Sequence, residues 1–139
     1  MKGTQPSMNA TNPSRPRWRT GSVQSHAFPR SHRADRQQHL TLVAKGATDE
    51  IVDLYTADAT IEDPAGTDVR RGRDAVREFY AAFQDAKKDT ELAEIRVGGN
   101  EAAFFWHLTL DAGDTRTRIF PISLMTFDED AKITSMRAF

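Results

Sequence analysis

The chain contains no cysteine. Disulfides, thiolate nucleophiles and cysteine-ligated zinc are therefore excluded. The four histidines, His26, His32, His39 and His107, show neither an HExxH pair nor any other ligand spacing, so no metal and no other cofactor is expected. No apolar run approaches the roughly 20 residues needed to span a bilayer. A soluble, cytoplasmic protein without a membrane partner is the expectation. Net charge is almost absent too, at −1, but that balance conceals two unlike segments. Through Gln38 seven basic residues face the single acid Asp35, a charge of +6, and from His39 onward 12 basic residues face 19 acidic ones, a charge of −7.

What is present divides the same way. Residues 1–30 are rich in Ser, Thr, Pro, Gly and Arg, with Trp18, Val23 and Phe28 as their aromatic and branched apolar side chains. Such a stretch buries too little surface to offset its ordering entropy, and it reads as a disordered basic extension. The same composition fits an acid-poor transit peptide, an arm that touches nucleic acid, or residues translated from a misassigned upstream start. Aromatic interleaving and a defined nucleic-acid module are missing, so no nucleic-acid partner is expected. The remaining 31–139 is enough for one domain with a real core and too short for two.

Ser31 is placed to cap a helix running from His32 to about Lys45, with Leu40, Val43 and Ala44 on its apolar side and Gly46 at its end. Thr48 is expected to cap a second helix, with Asp49 and Glu50 in its first turn and Ile51, Leu54 and Tyr55 on one face. The spacing of Ala75, Val76, Phe79, Tyr80 and Phe83 predicts a third helix over 73–85. After Lys87-Lys88 the period changes to alternation. Strands are expected over 92–97, 101–110, 115–127 and 132–139, separated by turns at Gly98-Gly99, Ala112-Gly113 and Asp128-Glu129-Asp130. Sequential hairpins predict a curved antiparallel sheet with three N-terminal helices on one face, an α+β domain.

One stretch organises the rest: Ala59-Thr60-Ile61-Glu62-Asp63-Pro64-Ala65-Gly66. The β-branched residues make a short strand and Pro64 ends it, having no N–H for a ladder. Asp63 is thereby held at a rim where the chain changes direction, either as an Asx-type turn residue or as a carboxylate for chemistry. Alternation puts Phe104, Trp106, Leu108 and Leu110 on one side of their strand and His107 and Thr109 on the other. Ile119, Pro121, Ser123, Met125 and Phe127 likewise share a side. Helices on a curved sheet leave an apolar pocket, with Asp63 and Ser123 as its polar candidates.

Taken together, Asp53-Leu54-Tyr55, Ala57 to Pro64, Arg71-Gly72-Arg73, Phe79-Tyr80, Pro121 to Glu129 and Ile133 to Phe139 closely resemble the steroid Δ5-3-ketosteroid isomerases. These belong to the cone-shaped superfamily of nuclear transport factor 2 and the SnoaL-like polyketide cyclases. The likeness runs from about Gln38 to Phe139 and implies that cone fold. It also implies an enzyme in which Asp63 moves a proton from C4 to C6 of a steroid through a dienolate. In that family the dienolate oxygen is held by a tyrosine and by an aspartic acid kept protonated by its apolar site, an established example of such a shifted carboxyl group.

Counted without a gap from Asp63, His39 stands at the tyrosine's position, and counted through the Phe127-Asp128-Glu129 turn, Ser123 stands at the acid's. Each can donate a hydrogen bond, but neither is as acidic as the residue it replaces, so weakened turnover is implied. Tyr55 and Tyr80 match family tyrosines near the site and offer a substitute donor. With Phe104, Trp106, Met125, Phe127 and Met136 they are expected to bind the substrate. The resemblance implies a small apolar, steroid-like ligand and a homodimer through the outer sheet face. Two alternatives stay open: a SnoaL-like cyclase or hydrolase using the same carboxylate, and a non-catalytic binding module of the same fold.

Overall fold

The structure, a computed structural model, describes Gly3 and residues 32–139. The expected extension over 1–30, Gly3 apart, and the Ser31 cap lie outside the described residues. Helix α1 spans His32–Lys45, where the helical spacing placed it. Its inward face is a stripe of Arg36, His39, Leu40 and Val43, all buried, at the i, i+3, i+4, i+7 spacing of one helical side. Thr90 donates its hydroxyl to the Leu40 carbonyl at 2.8 Å, tying the helix to the sheet. Gly46 ends α1 with φ of +69°, and a Cβ there would lie 2.2 Å from the Gln84 carbonyl oxygen. Conformation and space both demand glycine.

Helix α2, Thr48–Val52, departs from the expectation at both ends. Its N-cap is Ala47, without a side-chain bond, because the Thr48 hydroxyl is spent on Gln84 Oε1 at 2.7 Å. Tyr55 belongs to no helix and opens strand β1, Tyr55–Glu62. A two-residue strand β2, Arg70–Arg71, pairs back onto β1. Helix α3 covers Arg73–Ala81, shorter than expected. Beyond it the Lys88 ammonium takes the carbonyls of Phe83, Gln84 and Ala86, satisfying acceptors that a continuing helix would have used itself.

The sheet adds β3 (Lys87–Gly98), β4 (Glu101–Ala112), β5 (Thr115–Ile119), β6 (Ile122–Phe127) and β7 (Ile133–Ala138), in the order β2-β1-β7-β6-β4-β3 with β5 beside β4. The single strand expected over 115–127 is two, broken at Phe120-Pro121. β6 pairs the first half of β4 and β5 the second, and between them the Trp106 N–H still donates to the Pro121 carbonyl at 3.1 Å. Proline can accept but not donate, which is why the ladder loosens there. The sheet is mixed and not wholly antiparallel: β1 lies parallel to β7, a pairing between chain ends that hairpin logic does not reach. A bulge between Leu92 and Glu94 on β3 adds local bend and twist. One hydrophobic core, including Leu40, Ile51, Ile61, Val76, Phe104 and Met125, joins helices to sheet.

Candidate active site

Between the helices and the inner face of the sheet lies a cavity of about 300 Å³, at the lower end of the range typical of small-molecule sites. Phe104, Trp106, Leu108 and Leu110 line it from β4, and Ile119, Pro121, Ser123 and Met125 from β5, β6 and the break between them, so the sequence alternation assigned the inner face correctly. His39 and Val43 of α1, Phe79 and Tyr80 of α3, Phe83, Asp63, Met136 and Ala138 complete the wall.

Asp63 follows directly on β1, whose Ala59 and Ile61 are fully buried and fix the strand's direction. The turn beyond it is anchored by the Ala65 N–H donating to the Ala138 carbonyl at 2.7 Å. On the neighbouring side, Glu62 is ion-paired with Arg137 and so is engaged elsewhere. Asp63 itself is half-exposed at the cavity rim with no ion pair among the described residues. Partial burial raises its pKa above the ordinary carboxylate value, with the charge of Arg70 opposing the shift. A carboxylate raised in this way is a stronger base than an ordinary aspartate.

Behind that rim three side chains form a buried chain. The Tyr55 and Tyr80 hydroxyls are 2.5 Å apart, and Tyr80 Oη lies 3.4 Å from His39 Nε2. The His39 and Tyr80 rings meet edge-on with centroids 6.2 Å apart. Burial raises the pKa of both tyrosines, so they remain phenols and can donate. Burial, assisted by the charge of Arg36, pushes His39 down to about 3. The imidazole is neutral at physiological pH, with one N–H and one lone pair.

On the opposite wall the Trp106 indole N–H donates to Ser123 Oγ at 3.0 Å. This use of the serine oxygen as acceptor leaves its own proton for another partner, and Ser123 is buried against the cavity. The expected site residues thus separate by position. Asp63, His39, Tyr80, Phe104, Trp106, Ser123, Met125 and Met136 lie on the cavity wall. Tyr55 and Phe127 lie behind it, Tyr55 bonded to Tyr80 and Phe127 stacked under Arg36. Strand alternation puts Phe127 on the inner face, but Arg36 covers it.

Sequence reasoning passed over Arg36, counted only among the charges of the basic segment. Its signal was its place four residues before Leu40 and seven before Val43, on the buried stripe of α1. It also left Phe79 and Phe83, read as core, out of the expected site, and they line the cavity. No group of three or more potential metal ligands occurs among the described residues, and no helix there is long and apolar enough to cross a membrane.

Comparison with known proteins bears directly on this geometry. A family profile for the SnoaL-like domain matches residues 37–136. A steroid Delta-isomerase from Nocardioides simplex is 50% identical over 102 residues, covering 73% of this chain and 83% of the relative. Among solved structures, the epoxide hydrolase/cyclase-like enzyme SalBIII of pyran ring formation in polyether salinomycin superposes with a TM-score of 0.71. It shares 33% identity, over 77% of this chain and 88% of that one.

Proposed function

Because the chain belongs to the SnoaL-like domain family, we propose that it is a steroid Δ5-3-ketosteroid isomerase that shifts a C=C bond by proton transfer through a dienolate. The observation that carries this reading is the Asp63 carboxylate, its basicity raised, at the rim of an otherwise apolar cavity. The identity to a steroid Delta-isomerase supports it. In the proposed reaction Asp63 takes the proton from C4, and the C–H electron pair moves through C3 onto the carbonyl oxygen. Return of a proton from Asp63 to C6 restores the ketone and leaves the double bond conjugated with it. Atoms and electrons balance without a cofactor. The hydroxyls of Tyr80 and Ser123 hold the dienolate oxygen, each supported from behind, by Tyr55 and His39 in one case and by Trp106 in the other. Such donors act where charge develops, so they lower the barrier more than they tighten substrate binding.

The ligand is small, flat and apolar, as the aromatic lining favours. The reading includes a cytoplasmic homodimer, with no nucleic-acid or membrane partner, formed through the outer sheet face where Val97, Phe120, Ile122 and Phe139 are exposed. Sedimentation at micromolar concentration that gives only a monomer would remove the dimer from it. The function is tested by following conversion of a Δ5-3-ketosteroid to the conjugated ketone by ultraviolet absorbance, beside titration with an equilenin-like phenol. Turnover with binding supports the isomerase. Binding without turnover points to the non-catalytic module. The likeness to an epoxide hydrolase/cyclase-like enzyme favours a second reading, the same carboxylate acting on an epoxide. Ring opening of an epoxide with no steroid turnover would establish it.

A further inference from the structure

Arg36 is 4% exposed and makes no ion pair among the described residues. Its Nη1 donates to the thioether sulfur of Met125 at 2.8 Å, its guanidinium carbon sits 4.6 Å from the centre of the Phe127 ring, and its Nε has no partner. A thioether is a weak acceptor and a ring face offsets only part of a charge. A buried guanidinium without a carboxylate is costly and poorly explained by stability. The other unpartnered buried atom on this helix is His39 Nδ1. Three residues apart on α1, Arg36 and His39 are helical neighbours.

We propose that Arg36 is a positioning residue: its charge fixes the neutral His39 imidazole with the lone pair on Nδ1 and the proton on Nε2, making Tyr80 the donor to the ligand oxygen. Nε2 faces a hydroxyl while Nδ1 has no partner, so the single N–H is better satisfied at Nε2, and burial with the charge of Arg36 keeps a second proton off Nδ1. With Nδ1 bare, the one N–H is at Nε2, the nitrogen 3.4 Å from Tyr80 Oη. In the proposed arrangement Tyr55 is the donor of the pair, so that the Tyr80 oxygen accepts from His39 and from Tyr55 and its own proton is directed to neither. That proton is left for the cavity, on an oxygen polarised by two donors. The groups that couple to this chain are Tyr55 from β1, Tyr80 from α3, Asp35 and Arg36 on α1, and Asp63 acting on both tyrosines. From β6 the neighbours are the uncharged Met125 and Phe127. Arg36 is the cation in the set.

The inference rests on the proposed role of Tyr80, yet its test does not read turnover. Nitrogen-15 NMR of the full-length protein reports the protonation of each His39 nitrogen. The expected result is a proton on Nε2 and none on Nδ1 at pH 7 and again at pH 5. A proton on Nδ1, or an imidazolium at pH 5, overturns the proposal. The second readout is the ionised fraction of bound 2-naphthol, seen in its absorbance. Arg36→Met is expected to lower the bound naphtholate-to-naphthol ratio about tenfold, the size of losing one unit of charge stabilisation, and to redistribute the His39 proton. Arg36→Lys is expected to restore both. An Arg36→Met protein that folds and binds naphthol with tautomer and ionisation unchanged also overturns it. If that variant does not fold, the wild-type tautomer still decides. Turnover with the wrong tautomer removes this inference and keeps the isomerase; the expected tautomer without turnover does the reverse.

Discussion

The helix-side wall and the sheet-side wall of the cavity face each other with unlike chemistry. From the end of β1, from α1 and from α3 come Asp63, His39 and Tyr80; His39 and Tyr80 are joined with Tyr55 in a buried chain, and Arg36 lies on the same face of α1 as His39. From β4 and β6 come Phe104, Leu108, Leu110 and Met125, with one hydroxyl, Ser123, held by one indole. Side chains on a strand's inner face must suit a core, so polar atoms are admitted there singly and with a partner. The end of β1 is open to solvent, so the carboxylate at that rim is only partly desolvated. In the proposed reaction proton transfer falls to Asp63 at the end of β1, the helix side contributes Tyr80, and the sheet side contributes shape and the single donor Ser123.

This division predicts unequal losses on mutation. Tyr80→Phe is expected to lower kcat by about 10²–10³, the usual cost of a lost oxyanion donor, with KM little changed. Ser123→Ala should cost less, because only one neighbour polarises that hydroxyl. A greater loss in Ser123→Ala, measured in the same steady-state assay, would reverse the assignment of the walls. Ser123→Asp sharpens the comparison in the other direction. The apolar wall around that position raises the pKa of an introduced carboxyl, and a protonated acid is a stronger donor than serine. An increase in kcat of about tenfold is expected, with some loss in melting temperature, and a folded, ligand-binding variant that is no faster would show that Ser123 does not face the reacting oxygen.

How much of this was legible in the sequence depended on whether the signal was local. Alternation from Phe104 to Leu110 and the helical spacing through Leu40 and Val43 report one element's own two sides, and they were readable. The parallel pairing of β1 with β7 joins residues some 75 positions apart, such as Ile61 and Met136, and no period encodes it. Thr48 looked like a cap because its chemistry suits one, but Gln84, from a distant turn, claimed its hydroxyl. Arg36 was hidden by its type: charged residues are normally exposed, and its partners Met125 and Phe127 lie about ninety positions away.

Smaller effects come from titration. His39 has its pKa depressed to about 3 in the folded state against an ordinary 6.5, so the unfolded chain binds the extra proton between those values. The stability this contributes is present above about pH 6.5 and is lost as pH falls toward 3. His39→Leu is expected to flatten that part of the stability curve, measured by urea unfolding at stepped pH; an unchanged slope would mean the imidazole is not held neutral. For Asp63, the acidic limb of kcat/KM should lie above the ordinary aspartate range, because burial outweighs Arg70. Arg70→Gln should move that limb higher still, and a downward movement would contradict the assigned causes.

The central claim is that Asp63 moves the proton, and the most direct measurement is kcat of Asp63→Asn on a Δ5-3-ketosteroid, taken beside its affinity for a non-reacting phenol and its melting temperature. Asparagine keeps the shape and lacks the basicity, so the account predicts a fall in kcat of about 10²–10⁴ with affinity and melting largely kept. A kcat that survives the substitution, or one that falls only in step with melting temperature, would contradict it.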